Sequence, residues 1–229
     1  MKTILKASMF LLLLVLLFSC KEEQPRTNNQ PTMVTKDYSR GKYGIQPKGV
    51  LVNWTAYKFT DKVGVAGTFK KLDCKVMQDT GSVEELLKGM QVNILTTSVT
   101  SGNAIRDFKL NTYFFSAFNT PKMRGTIINA ENYEGFLKLK MNNISHRIPY
   151  TYSVKNDTIT LFTNINLLEW QGKMALAKLN EQCYDLHKGA DGISKLWPDV
   201  DVEVKLPLVH FLEESYLLYE GNDLSHFVK

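Results

Sequence analysis

"DVDVEVKLPL", residues 199–208, alternates from end to end. Val200, Val202, Val204, Leu206 and Leu208 fall on one side. Asp199, Asp201, Glu203, Lys205 and Pro207 fall on the other. Successive side chains of a strand point to opposite faces, so this pattern predicts a strand with one dry face and one wet face. Pro207 has no N–H to give to a ladder, which predicts an edge or strand-end position for it.

The same period recurs upstream. "VLVNWTAYKF" (50–59) and "VGVAGTFKKL" (63–72) flank "TDK" and read as a hairpin. In the second, Val63, Val65 and Phe69 share a face broken only by Gly67, which suits a bulge or a bend. "MQVNILTTSV" puts Val92 and Ile94 on one face. "KMRGTIINAEN", "FLKLKMNN", "HRIPYTYSV" and "DTITLFTNI" follow, with turn chemistry at Asn142-Asn143 and Lys155-Asn156-Asp157. Helical segments are few. "SVEELLKG" (82–89) has a capping box, Ser82 with Glu85, and a stop at Gly89. "GKMALAKLNEQCYDLHKG" (172–189) reads as a helix ending at Gly189.

Many strands in succession with short turns predict a mainly β fold, a sandwich or a closed antiparallel barrel with two or three short helices. Closure removes exposed edges, and about eight strands can hold one small ligand.

The ends of the chain read differently. Met9 to Phe18 is an unbroken apolar run of 10 residues, preceded by Lys2 and Lys6. A bilayer needs about 20 such residues, so the run fits a secretory signal over residues 1–19. Leu17-Phe18-Ser19-Cys20 resembles a bacterial lipobox, which implies acylation of Cys20 and an anchored chain. Cys20-Lys21-Glu22-Glu23 resembles an address for the outer face of the outer membrane. The expected location is the bacterial cell envelope, lipid-anchored, at the outer membrane and open to surface display. Residues 20–49 read as the lipidated N-terminus and a disordered tether, spanning roughly 30 Å root-mean-square as a coil. The barrel domain is expected over 50–210 and a C-terminal extension over 211–229.

Composition removes several classes of function. Of 28 basic and 23 acidic side chains, processing takes away Lys2 and Lys6, leaving a net charge of about +3. The charges are mixed, so nucleic acid is not an expected partner. His146, His187, His210 and His226 are scattered without metal-ligand spacing. No nucleophile, base and orienter set stands out, so no catalytic residue, metal or cofactor is expected. Cys74 and Cys183 are the cysteines left after Cys20; a bridge between them and a buried Cys183 thiol both fit the sequence.

"SVTSGNAIRDFKLNTYFFSAFNTPKMRGTI" (98–127) carries a resemblance. It resembles the YceI-like family, whose signature runs Ser-Ile-x-Thr-Gly-Asn-x-x-Arg-Asp-x-x-Leu and ends in a phenylalanine pair. Ser98, Gly102, Asn103, Arg106, Asp107 and Leu110 match it, with Phe114 and Phe115 as the pair. Ser101 replaces the usual threonine. Lys109 stands where many members have histidine, so no role of that histidine is carried over. The likeness covers about residues 50–208, with Asn143 replacing a glycine, and its helix 172–189 looks like the lipoprotein branch. It implies an extended, lipocalin-like antiparallel β-barrel with an apolar tunnel for an isoprenoid quinone, polyprenol or other apolar lipid, without catalysis. A homodimer is compatible with it. A barrel filled by side chains, serving stress protection or protein interaction, would show the same alternation.

The signature also has a physical reading. Asn103 is an N-cap for "AIRDFKL", with Ile105, Phe108 and Leu110 as inward candidates. Arg106 and Asp107 point about 100° apart on a helix, so each fastens elsewhere, or one meets a ligand head group at the mouth. The tunnel candidates are Trp54, Phe69, Val92, Ile94, Phe114 and Phe115, the last two forming an aromatic knot with Tyr113 and Phe118.

Overall fold

The computed structural model describes residues 42–211. The signal segment, Cys20, most of the tether and residues 212–229 lie outside the described residues. The fold is mainly β, an antiparallel sheet of eleven strands that curls on itself.

The strands are β1 (Lys42–Ile45), β2 (Leu51–Lys58), β3 (Val63–Phe69), β4 (Leu72–Lys75), β5 (Gln91–Leu95) and β6 (Val99–Thr100). They continue with β7 (Lys122–Glu131), β8 (Glu134–Met141), β9 (Ile144–Lys155), β10 (Thr158–Asn166) and β11 (Leu196–Phe211). The sheet order is β4-β5-β7-β8-β9-β10-β11-β2-β3-β6, with β1 added on β11. Its two ends meet because β3 runs into β4 and β5 runs into β6. Around that corner Lys70 N–H donates to Ser98 O at 3.0 Å and Leu95 N–H to Lys71 O at 3.0 Å. The Ser98 hydroxyl accepts from Lys71 N–H at 3.0 Å. These bonds bridge the place where each ladder stops, and they leave little free edge.

β11 is the longest strand, 16 residues, and it seams the sheet. Leu206 is fully buried and Leu208 is nearly so. The acids of its outer face have cross-strand partners. Asn53 Nδ2 donates to Glu203 at 3.0 Å, Asn164 Nδ2 to Asp201 at 2.6 Å, and the Tyr57 hydroxyl also donates to Asp201. Pro207 lies inside the strand rather than at its end. The ladder with β2 stops at Lys205–Leu51 and that with β1 starts at Leu208–Ile45, so the proline falls in a gap on that side.

Residues 42–49, expected in the tether, belong to the fold. Tyr43 and Ile45 are buried, and β1 pairs with Leu208 to Phe211. Tyr43 also exchanges backbone bonds with Gly81 at 2.9 and 3.0 Å. Two apolar residues in a polar stretch gave too weak a pattern to show this from sequence.

The helices divide between the two ends of the barrel. α1 (Val83–Leu87) packs against β1 and β7 at the end where β11 finishes, with Leu86 and Leu87 fully buried. Its capping box is formed: Ser82 Oγ accepts from Glu85 N–H at 3.3 Å, and Glu85 Oε2 from Ser82 N–H at 2.8 Å. Ser82→Ala is expected to cost about 1 kcal/mol, read as a lower urea midpoint at unchanged slope.

At the other end α2 (Ala104–Lys109) continues through a π-helical stretch, Leu110–Phe115, into α3 (Ser116–Phe118). α4 (Lys173–Gln182) packs on that stretch. The helix expected over 172–189 therefore breaks at Cys183, and a 3-10 turn, Tyr184–His187, follows. Cys74 and Cys183 are both free thiols, and Cys183, the residue capping the C-terminus of α4, is buried as a small apolar residue. Burial, then the Asp73 charge, pushes the Cys74 thiol up to about 11.

Candidate functional site

The barrel is hollow beneath the α2–α4 helices. An inner chamber of about 160 Å³ is walled almost wholly by apolar side chains, among them Trp54, Phe69, Ile94, Phe114, Phe115 and Met123. An outer cavity of about 370 Å³ adjoins it and shares Trp54, Ala56, Leu110, Leu179 and Leu196 with it. The outer one is bordered by Lys58, Arg106, Lys109 and His187. A dry chamber thus leads into a cationic vestibule.

Each wall has a local cause. The period-two face of β2 carries Val52, Trp54 and Ala56 inward. Trp54 is opposite Gly67 on one side and Val202 on the other. A Cβ at Gly67 would overlap the Trp54 ring and lie 2.6 Å from the Thr100 carbonyl oxygen. The glycine is therefore no bulge, since the register runs through it unbroken; it is the space the indole occupies. Trp54 Nε1 is buried and has no hydrogen-bond partner.

The phenylalanine pair ends the π stretch. Phe114 and Phe115 both border the chamber, with ring centroids 5.1 Å apart. Phe118 stacks on Phe114 at 5.5 Å and Phe69 meets Phe115 edge-on at 6.2 Å. Val92, the sixth residue expected along the tunnel, is buried on β5 but borders neither cavity. Val92 packs within the buried core instead.

Asn103 Oδ1 accepts from Arg106 N–H at 2.9 Å and caps α2. Gly102 has a φ of +73°, a conformation side chains resist, so the signature glycine starts the turn into that helix. Arg106 and Asp107 diverge. The Asp107 carboxylate accepts from Ser101 N–H at 2.7 Å and Ser101 Oγ at 2.6 Å. Burial pushes its pKa up, but the Ser101 bonds, Thr100 and the Lys70 charge outweigh it and hold the carboxyl below its usual range. Asp107 fastens the loop, whereas Arg106 is exposed and borders the vestibule. Ile105 and Phe108 do not face inward. They are 71% and 61% exposed, because the capped turn directs that side of α2 to solvent and only Leu110 reaches the interior.

The second half of the site was missed in sequence. Leu179, Cys183, Leu186 and His187 come from α4 and the turn after it. Ala175, Leu179 and Cys183, four residues apart and all buried, were the available signal. His187 Nδ1 is 2.9 Å from Asn180 Oδ1. Burial, then Lys58 and Lys109, pulls its pKa down to about 4. The folded imidazole stays neutral while the unfolded one protonates near pH 6.5. Its contribution to stability is thus whole above about pH 6.5 and is lost as pH falls towards 4. Urea midpoints between pH 7 and 4.5 should drop less in His187→Gln than in the parent chain.

Among the described residues no group of three His, Cys, Asp or Glu could hold a metal ion. No described helix is long and apolar enough to cross a membrane.

The YceI-like domain family matches residues 43–208. The chain belongs to the YceI-like family. Its barrel is similar to a solved polyisoprenoid binding domain from Saccharophagus degradans, implicated in plant cell wall breakdown. That pair shares 14% identity over 74% of this chain and 98% of the other, with a TM-score of 0.52. The Campylobacter jejuni YCEI protein is 19% identical over 68% of this YceI-like chain and 90% of its own, with a TM-score of 0.46. Burkholderia cenocepacia BcnA is 15% identical over 72% and 99%, also at 0.46. At these identities the likeness is one of fold. No curated protein matches the chain.

Proposed function

We propose that this YceI-like chain is a non-catalytic carrier that shelters the apolar chain of an isoprenoid lipid, a quinone or a polyprenol. The observation that carries this reading is the dry inner chamber opening into a larger vestibule. An apolar chain gains roughly 0.8 kcal/mol per methylene buried, and this chamber offers it few polar groups to desolvate. The polyisoprenoid binding domain of similar fold supports the choice of ligand class. The stretch Leu17-Phe18-Ser19-Cys20, which resembles a lipobox, supports a lipid anchor in the cell envelope, and Cys20-Lys21-Glu22-Glu23 supports the outer membrane.

The test is mass spectrometry of solvent extracts from protein purified out of native envelopes. A prenyl lipid should be recovered in stoichiometric amount. Ala56→Trp, which puts an indole where the two cavities meet, should lose it while keeping the circular dichroism spectrum. Parent protein that is consistently empty, and is not stabilised by added quinone or polyprenol, would overturn the reading.

A further inference from the structure

We propose that the mouth of the barrel is a docking face for an anionic bilayer surface, an inference that rests on the lipid-carrier reading. Ile105 and Phe108 lie three residues apart on α2, on one face, and both are largely exposed. Leu186, 57% exposed, borders the same cavity as Ile105. Ile105 and Leu186 stand at the rim, and Phe108 stands beside Ile105 on α2 against the Tyr113 ring, centroids 6.5 Å apart; a capped helix and a 3-10 turn, not a frayed loop, hold them out. Lys58, Arg106 and Lys109 border the same opening, and Lys58 Nζ is held by the Leu186 carbonyl oxygen at 3.0 Å. The acid of α2, Asp107, is turned back onto Ser101, so it does not neutralise them. Asp185 is the acid of the 3-10 turn.

Three arguments choose a bilayer as the occupant. Apolar residues ringed by cations fit headgroup phosphates above and acyl chains below. The rim is continuous with the dry chamber, so a lipid crossing it from a bilayer would not traverse water. The adjoining β2–β3 turn and the start of β11 have an interfacial composition: Lys62 and Lys195 lie 5.2 and 3.6 Å from the Trp197 ring of β11, and Lys58 lies 4.3 Å from Phe59, with Lys62 also paired to Asp199 at 3.5 Å. A second copy suits the face poorly, since a two-fold contact would bring like cations together. The expected anchor does not forbid the pose. β11 spans about 50 Å from the mouth to the end where Lys42 pairs. The roughly 20 residues between Cys20 and Lys42 reach about 70 Å when fully extended.

The experiment uses the processed chain from residue 20 onward carrying Cys20→Ser, so that no acyl chain contributes. It is floated with phosphatidylcholine vesicles, with and without phosphatidylglycerol. Binding should require phosphatidylglycerol and weaken with salt. Arg106→Gln with Lys109→Gln should weaken it roughly thirtyfold, the effect of two cations near an anionic surface. Ile105→Ser with Phe108→Ser should weaken it at least tenfold, while Phe162→Ser, on an exposed outer-wall residue, should leave it unchanged. Absence of vesicle binding, or equal loss in all three variants, would overturn the proposal. So would a concentration-dependent dimer that Ile105→Ser with Phe108→Ser abolishes, which would assign the face to a second copy. Lipid recovered from a chain that does not float overturns the docking face alone. A chain that floats but is always empty overturns the carrier reading instead.

Discussion

Trp170→Ala should lower the unfolding free energy by about 3–5 kcal/mol, the range for emptying a buried aromatic site. Trp170 ends a 3-10 turn, Leu167–Trp170, and is fully buried. Its backbone oxygen accepts from Asn142 Nδ2 at 2.9 Å, and Asn142 N–H donates to Thr120 Oγ1 at 2.7 Å. Thr96 Oγ1 in turn donates to the Thr120 carbonyl oxygen at 2.7 Å. These bonds chain four loops at one end of the barrel to the Trp170 backbone, so a shift of that residue into the cavity would loosen all of them together. The His146 ring stands edge-on to it at 4.9 Å. The indole Nε1 has no partner, so Trp170→Phe forfeits packing but no hydrogen bond. It should cost clearly less than the alanine variant. Urea denaturation of both variants measures the difference; equal losses would show that packing volume is not what holds this corner.

Gly67→Val is expected to prevent the native register or to cost 3 kcal/mol or more, beyond the ordinary range for overpacking a core. The indole of Trp54 and the carbonyl of Thr100 occupy the space a side chain would need. Backbone cannot yield as the end of a flexible side chain does, and β3 is held there by β2 on one side and β6 on the other. Trp54→Gly combined with Gly67→Val removes the larger clash and should recover part of the loss. A double variant no better than Gly67→Val alone would place the obstruction at Thr100. The pair also bears on function, because the indole lines both cavities.

Much of the fold was legible because its signals are local. The alternation at 199–208, the capping box at Ser82 and the asparagine turns each announce themselves within a few residues. The turns at Asn142-Asn143 and Asn156-Asp157 all have positive φ, as their composition implied. The site was legible only where it overlaps such signals. Trp54, Phe69 and Ile94 sit on period-two faces and do border the chamber. Val92 shares the face of Ile94, yet whether a barrel is hollow at a given level depends on what projects from the opposite wall. Ile105 and Phe108 failed for a related reason. A helix with an apolar side is normally buried on that side, and here it meets solvent at the rim. The residues from α4 lie roughly 70 positions from the signature, and no pattern in one sequence couples two segments so far apart.

The pairing of β1 with the last residues of β11 has a practical consequence. Lys42 is opposite Phe211, so the described fold begins and ends at one point, on the end of the barrel away from the vestibule. The barrel is in this sense a cassette, with its socket on one side and its port on the other. A linker from Phe211 to Lys42 should accordingly be tolerated with new ends cut in the β9–β10 turn, since neither change touches the wall of the chamber.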